Sequence, residues 1–496
     1  MFFTILISTV FLWVVVQHYR RVSRHPPGPF SLPIIGNIPQ IVFYSWKTGG
    51  VVPFLDMLRK KHGNVFTLWL GPIPHVNITD FQTAHEVFVK NGNKYADKPI
   101  SPVFHESRNG YGIVAVSGTL WQEVRQFSLR TFRNMGVGKD IMEAKILEEL
   151  EHRCSSLDKS AVGGVSTVKV TEFFDLTVGS IINSIMMGKR FDDKTKGEFF
   201  HLKKLVEEST KLVTPLDLVL PIWILRAFSE KRVALMMDAQ AKTMDYLAKD
   251  AVERYEDVRD GKITIDPEDP KDYVDSFILK MMQEGSDKNS FNVPSMKAVL
   301  IDLWLTGQET TTTTLISGFA NLLNNPHVME KARVELMKVT ENASRPLMWN
   351  DKNDTVYLNA VIAEIQRHAS ILNINFWKIN HEPTTIGGHP VDAGTLVAAQ
   401  LSTLHVDEKS YEDPKKFDPE RFIRNKDLIQ QLIPFGIGKR ACTGEALARA
   451  ELYLILGNLL LRYKFEPCED FEYNLDTAPF SFAKKPASYQ MKFIKI

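Results

Sequence analysis

The chain has 496 residues, 44% of them hydrophobic, which is enough for a large core. Sixty basic residues stand against fifty-nine acidic ones, a formal net charge of +1, so the strongly basic surface of a nucleic-acid binder is excluded. The three cysteines, Cys154, Cys442 and Cys468, are too few and too far apart for a disulfide framework or a zinc site, and they suit a reducing compartment.

From Phe2 to Val16 the chain is apolar except for Thr4, Ser8 and Thr9. Arg20, Arg21 and Arg24 follow, then Pro26-Pro27-Gly28-Pro29. About fifteen apolar residues fall short of the roughly twenty that a membrane span needs, so a signal peptide competes. The lack of basic residues ahead of the run and of a small-x-small cleavage site counts against it. Positive charge on the C-terminal side keeps the body of the chain cytosolic. The expectation is an uncleaved anchor over residues 1–19 in a thin bilayer such as the endoplasmic reticulum. A basic, proline-rich linker over 20–37 and one large domain over 38–496 follow it. Sequons at Asn77, Asn342 and Asn353 would stay unmodified in that topology.

Val65 to Asp80 alternates around Gly71-Pro72-Ile73-Pro74 and predicts a small hairpin. Trp121 and Arg125, four apart, share one helical face. Phe199 to Phe228 is apolar and aromatic. A long helix is predicted from about Pro294 to Asn324, with proline in its first turn and Pro326 just past its end. At 1.5 Å per residue it reaches roughly 45 Å. Inside it, Thr306-Gly307-Gln308-Glu309-Thr310-Thr311 leads into five consecutive threonines, Thr310 to Thr314. Glycine, an acid and β-branched hydroxyls are poor helix formers. Such a run can bend the helix or admit a water, which marks a functional segment. Val356 to His368 predicts another helix, with Glu364 and Arg367 three apart on one face. Tyr411 to Gln431, rich in charge and proline, reads as irregular. The fold class is mainly α with a minor β portion.

The richest segment is Phe435-Gly436-Ile437-Gly438-Lys439-Arg440-Ala441-Cys442-Thr443-Gly444, which opens into a helical run from Glu445 to Leu461. Gly438 and Gly444 let the backbone turn tightly and approach a flat cofactor. A helix beginning just after Cys442 favours its thiolate. Arg440 supplies a fixed charge that pairs with a carboxylate.

The spacing Phe-x-x-Gly-x-Arg-x-Cys-x-Gly resembles the haem-binding signature of the cytochrome P-450 family at every fixed position. The resemblance covers nearly the whole chain and implies that family's fold, preceded by one membrane helix as in the animal microsomal type. It makes Cys442 the axial ligand of the iron of a b-type haem, with Phe435 a further cofactor contact. Trp121, Arg125 and Arg440 become donors to the haem propionates. Lys378 joins them because it falls near where the family carries His or Arg, although Asn373 stands where proline is common. Glu364, Arg367 and, from Pro419-Glu420-Arg421-Phe422, Arg421 match the family's structural ion network.

The segment from Thr306 to Thr310 resembles the family's oxygen-activation motif. Gly307 would make room for dioxygen, and Glu309 and Thr310 would pass the protons that let water leave. Thr306 departs from the usual alanine or glycine and narrows the pocket or adds a hydroxyl. Substrate-lining candidates are Pro102 to Val116, Phe199 to Phe228, Ile371 to Phe376 and Phe480 to Phe482; their apolar character implies a lipophilic substrate. Arg130, Arg133, Lys439 and Arg449 could greet an acidic flavoprotein reductase that relays electrons from NADPH. The implied activity is insertion of one oxygen atom from O2 into a fatty acid, steroid, eicosanoid or foreign compound. A peroxide isomerase or dehydratase, or a non-catalytic haem sensor, would share the cysteine turn; the Glu309-Thr310 pair argues against both.

Overall fold

A computed structural model describes residues 2–99, 102–136, 140–192, 194–213, 217, 220–285, 290–468, 483–484 and 486–496. In chain order the longer helices begin with α1 (Phe2–Val22), α2 (Ile38–Thr48), α3 (Val51–His62), α4 (Gly118–Asn134) and α5 (Asp140–Ser160). They continue with α6 (Val170–Met187), α7 (Lys196–Lys211), α8 (Ile222–Arg259), α9 (Tyr273–Glu284) and α10 (Val293–Asn324). The last are α11 (Pro326–Val339), α12 (Val356–Ala369) and α13 (Glu445–Arg462). The strands are β1 (Val65–Leu70), β2 (Ile73–Ile78), β3 (Val165–Lys169), β4 (Lys378–Ile379), β5 (Thr384–Ile386), β6 (His389–Val391), β7 (Leu396–Ala399), β8 (Tyr463–Pro467) and β9 (Gln490–Lys495).

Helix α1 exceeds the apolar run, because Gln17 to Val22 continue it to 21 residues. It is long and apolar enough to cross a membrane. At 1.5 Å per residue it spans about 30 Å, the thickness of a hydrocarbon core. The arginines at 20 and 21 therefore end the helix rather than begin a linker.

The described residues fall into two compact units. One takes in Met1–Pro99, Ala363–Cys442 and Asn474–Pro486. Its four-stranded sheet has the order β1-β2-β7-β4. The predicted hairpin is present, with Val65 opposite Ile78 and Leu70 opposite Ile73. Strand β2 pairs with β7 only from His75 onward, so Pro74 lies where a missing N–H costs no ladder bond on that side. Val76, Ile78, Val87, Phe88, Val397 and Ala399 form the core beneath the sheet. Full burial of such aliphatic side chains contributes roughly 1.5–3 kcal/mol each. Tyr411 to Gln431 is irregular apart from two single helical turns, Arg421–Arg424 and Leu428–Gln431.

The other unit takes in Ile100–Ile362, Thr443–Tyr473 and Ala487–Ile496 and contains a three-stranded sheet, β3-β9-β8. Its axis is α10, which lies within one residue of the predicted bounds. Asn292 caps α10 by accepting from the Ser295 N–H at 2.8 Å. Asn325 ends it and Pro326 opens α11. Helix α6 packs closely on α10.

Candidate functional site

The cysteine turn lies in the first unit. Gly436 (φ 74°) and Gly438 (φ 81°) take the left-handed backbone that glycine permits. A Cβ on Gly438 would stand 2.0 Å from the Phe88 carbonyl oxygen, so no side chain fits there. Gly444 behaves differently from expectation. Its φ of −92° is open to any residue, and it serves as the N-cap of α13. The Cys442 N–H donates to the Phe435 carbonyl at 2.9 Å, which closes the turn and leaves the cysteine side chain exposed.

Two cations adjoin this turn. Arg440 donates from Nε to the Ala96 carbonyl. Lys378, at the start of β4, is 5% exposed and lies 4.7 Å from the Phe88 ring. Burial and the neighbouring Arg440 push its ammonium down to about 8. Among the described residues no carboxylate comes within ion-pair distance of Lys378. A buried lysine beside an arginine is a preformed anion seat. In the second unit, Trp121 is buried on α4 and the Arg125 guanidinium lies 5.7 Å from its ring centre. Each of the two groups offers donors of the kind that bind a carboxylate.

Glu364 and Arg367, on α12, are both 0% exposed at the side chain. Arg367 donates from Nε and Nη2 to the two carboxylate oxygens, at 2.8 Å each. Arg421 Nε donates to Oε1 at 3.2 Å, and the Asp418 N–H to the same oxygen at 2.8 Å. Arg367 and Arg421 also donate to the carbonyls of His405 and Glu412, at 2.9 and 2.7 Å. Burial alone would push the Glu364 carboxyl up, but the bonds from Arg367 and His368 hold it at about 2.

The acid–alcohol segment of α10 lies in the second unit. The helix runs unbroken through the threonines because their hydroxyls return to the carbonyl four residues back. Thr306 donates to Asp302 at 2.7 Å, Thr310 to Thr306 at 2.6 Å and Thr314 to Thr310 at 2.9 Å. Thr306 and Thr310 are exposed on one face. A Cβ on Gly307 would stand 2.8 Å from Ile182 Cδ1 on α6.

Sequence reasoning missed four residues here. Lys203 on α7 pairs with Asp175 on α6 and lies 3.5 Å from Glu309 Oε1. Asp302 receives the N–H groups of Ile113 and Val114 at 2.8 and 3.0 Å and pairs with Arg108. It thereby ties the predicted substrate loop, 102–116, to α10. Glu451 on α13 is fully buried against Thr311, and burial pushes its carboxyl up to about 8. A lone charge spaced far along the chain from its partner leaves no local signal; only a polar residue inside an apolar helical stretch, as at Asp302 and Glu451, hints at one. Of the remaining lining candidates, Phe480 to Phe482 and residues 214–216 and 218–219 lie outside the described residues. Of the docking cations, Arg130, Arg133 and Lys439 are exposed, but Arg449 is paired with Glu445 at 2.9 Å.

The cytochrome P-450 family model matches residues 26–493. A probable cytochrome P-450 of Caenorhabditis elegans, cyp-35D1, is 46% identical over the full length of both chains. Cytochrome P-450 2H1 of Gallus gallus is 31% identical, over 99% of this chain and 98% of the relative. Cytochrome P-450 2C8 of Homo sapiens is 30% identical, over 100% and 99%. The protein is an oxidoreductase of the haem-thiolate monooxygenase class. It belongs to the cytochrome P-450 family.

Proposed function

We propose that this enzyme inserts one oxygen atom from O2 into a lipophilic organic molecule, of the fatty acid, steroid, eicosanoid or foreign-compound class. Electrons come from NADPH through a flavoprotein reductase. Helix α1 anchors the chain in the endoplasmic reticulum membrane with its body in the cytosol. The exposed apolar side chains of α1, and of Val42, Phe43 and Trp46 on α2, support a membrane location.

Cys442 is the iron ligand in this reading, and Arg440, Lys378, Trp121 and Arg125 hold the propionates, with Phe435 beside them. Haem, when bound, supplies the dioxygen chemistry that no side chain here provides. The chain supplies the thiolate, a seat for the propionates and protons. Glu309 takes a proton from water and gives it to the Thr310 hydroxyl, which hands on its own. In the present arrangement that hydroxyl donates to the Thr306 carbonyl, so it must rotate to act. Glu364, Arg367 and Arg421 lock the surrounding core.

The observation that carries the reading is the buried Lys378 with Arg440 next to it beside the cysteine turn, an anion seat with no carboxylate opposite Lys378 among the described residues. The first test is the carbon-monoxide difference spectrum of the reduced protein in membranes. A strongly red-shifted Soret band is expected if Cys442 holds the haem as a thiolate. No haem signal from folded protein would overturn the assignment of this seat. NADPH-dependent oxidation of a lipophilic panel then tests the reaction; rearrangement of a peroxide without NADPH would replace it.

A further inference from the structure

Lys203 sits where three helices meet. Its side chain is 13% exposed, and a lysine so enclosed is held by its partners. Among the described residues there are two, and they are unequal. The Asp175 carboxylate of α6 is in direct hydrogen-bond contact, whereas the Glu309 carboxylate of α10 is 3.5 Å away. Asp175 is itself positioned by Gln308, whose Nε2 donates to Oδ1 at 2.9 Å. Gln308 precedes Glu309 on α10, so the same helix carries a brace for Asp175 and the carboxylate that competes with it. Burial pushes the Asp175 carboxyl up and Lys203 opposes that. One cation therefore serves two carboxylates, and the looser contact goes to the residue read as the proton donor.

We propose that Lys203 is a positioning residue for proton delivery, holding Glu309 turned towards α7, with Asp175 drawing Lys203 back so that its grip on Glu309 stays loose. The inference rests on the reading of Glu309 and Thr310 as the proton route. It adds that the placement of α7, two helices away in sequence from any motif, sets how readily Glu309 reaches Thr310. Charged and polar groups around Glu309 are Asp175 from α6, Lys203 from α7, and Gln308, Thr306 and Thr310 from α10 itself.

The two side chains on either side of Lys203 give opposite expectations. Lys203→Met releases Glu309, so hydrogen peroxide formed per NADPH should rise several-fold, and Lys203→Arg should restore the wild-type ratio. Asp175→Asn leaves Lys203 to Glu309 alone, so turnover should slow and its solvent deuterium isotope effect grow without added peroxide. A role in packing alone would move both variants the same way. The experiment uses the full-length holoenzyme with a flavoprotein reductase in phospholipid vesicles and ethoxycoumarin as the lipophilic probe.

A second readout needs no turnover. Denaturant midpoints of Lys203→Met, Glu309→Gln and the double variant should be non-additive, as for groups in contact. Additive midpoints would overturn the inference, as would wild-type coupling in Lys203→Met while Glu309→Gln releases peroxide. If Glu309→Gln itself leaves coupling intact, the reading of the proton route fails and this inference fails with it.

Discussion

Glu364 shows how much of this enzyme hangs on single side chains. Its carboxylate takes three arginine N–H bonds and one backbone N–H with its side chain 0% exposed. Glu364→Gln would leave two buried guanidiniums underpaired, at a cost of about 3–5 kcal/mol. The pH dependence follows from the direction of the shift. The carboxyl is held at about 2, below its ordinary 4.5, so its stabilisation is fully present above the ordinary value and is lost as pH falls through about 2. Denaturation followed from neutral pH into that window should show the wild type losing stability steeply, and Glu364→Gln, weaker from the outset, losing much less. Equal slopes would show that other carboxylates control acid stability. At the cysteine turn, Cys442→Ser should remove the red-shifted carbon-monoxide band and turnover together; retained activity would sink the thiolate assignment.

Among the elements, α10 and its neighbours separate two kinds of helical glycine. A Cβ on Gly307 comes nearest the Cδ1 tip of Ile182, at 2.8 Å, which can swing aside. The better helix propensity of alanine offsets that by about 1 kcal/mol, so Gly307→Ala should lie near the wild type in stability. On α6, a Cβ on Gly179 meets the ring of Phe199 at 2.3 Å, and a packed ring cannot yield. Gly179→Ala should cost about 1–3 kcal/mol as overpacking. Thermal melts of the two variants check the order. Much of this level is legible in the sequence, because proline at 294 and 326 and the caps around them are local signals. The hairpin around Gly71 is legible for the same reason. Which glycine of the cysteine turn bears the strain is not, since Gly436 and Gly444 differ only in how the backbone arrives. Nor is the tie from Lys203 to Glu309, because nothing along the chain records that α7 meets α10 there.

For the molecule as a whole, the three sequons report topology. Asn77 is buried in β2, accepts from Gln400 Nε2 at 2.8 Å, and is closed to glycosylation in any folded form. Asn342 and Asn353 are exposed and would be modified if the body of the chain faced a lumen. With α1 as an anchor and the body in the cytosol, the chain should resist alkaline carbonate extraction and show no mass change on glycosidase treatment. Release by carbonate, or loss of mass, would reverse the orientation or remove the anchor. The ion network, the proposed propionate seat and the cysteine turn are legible as motifs, yet their burial is not. Burial decides whether Glu364 is a core brace or one more exposed pair worth under about 1 kcal/mol.

The seat built from Lys378 and Arg440 bears on the life of the protein before it ever meets a substrate. An enclosed ammonium with an arginine near it, as at Lys378, raises the free energy of the folded chain, and in the proposed reading a haem carboxylate relieves that. A newly made chain is therefore a weaker fold than the loaded enzyme, and the gap widens with the tightness of cofactor binding. Cellular proteases sample that weaker fold. Enzyme abundance should consequently follow haem supply after translation, through selective clearance of chains that stay unloaded.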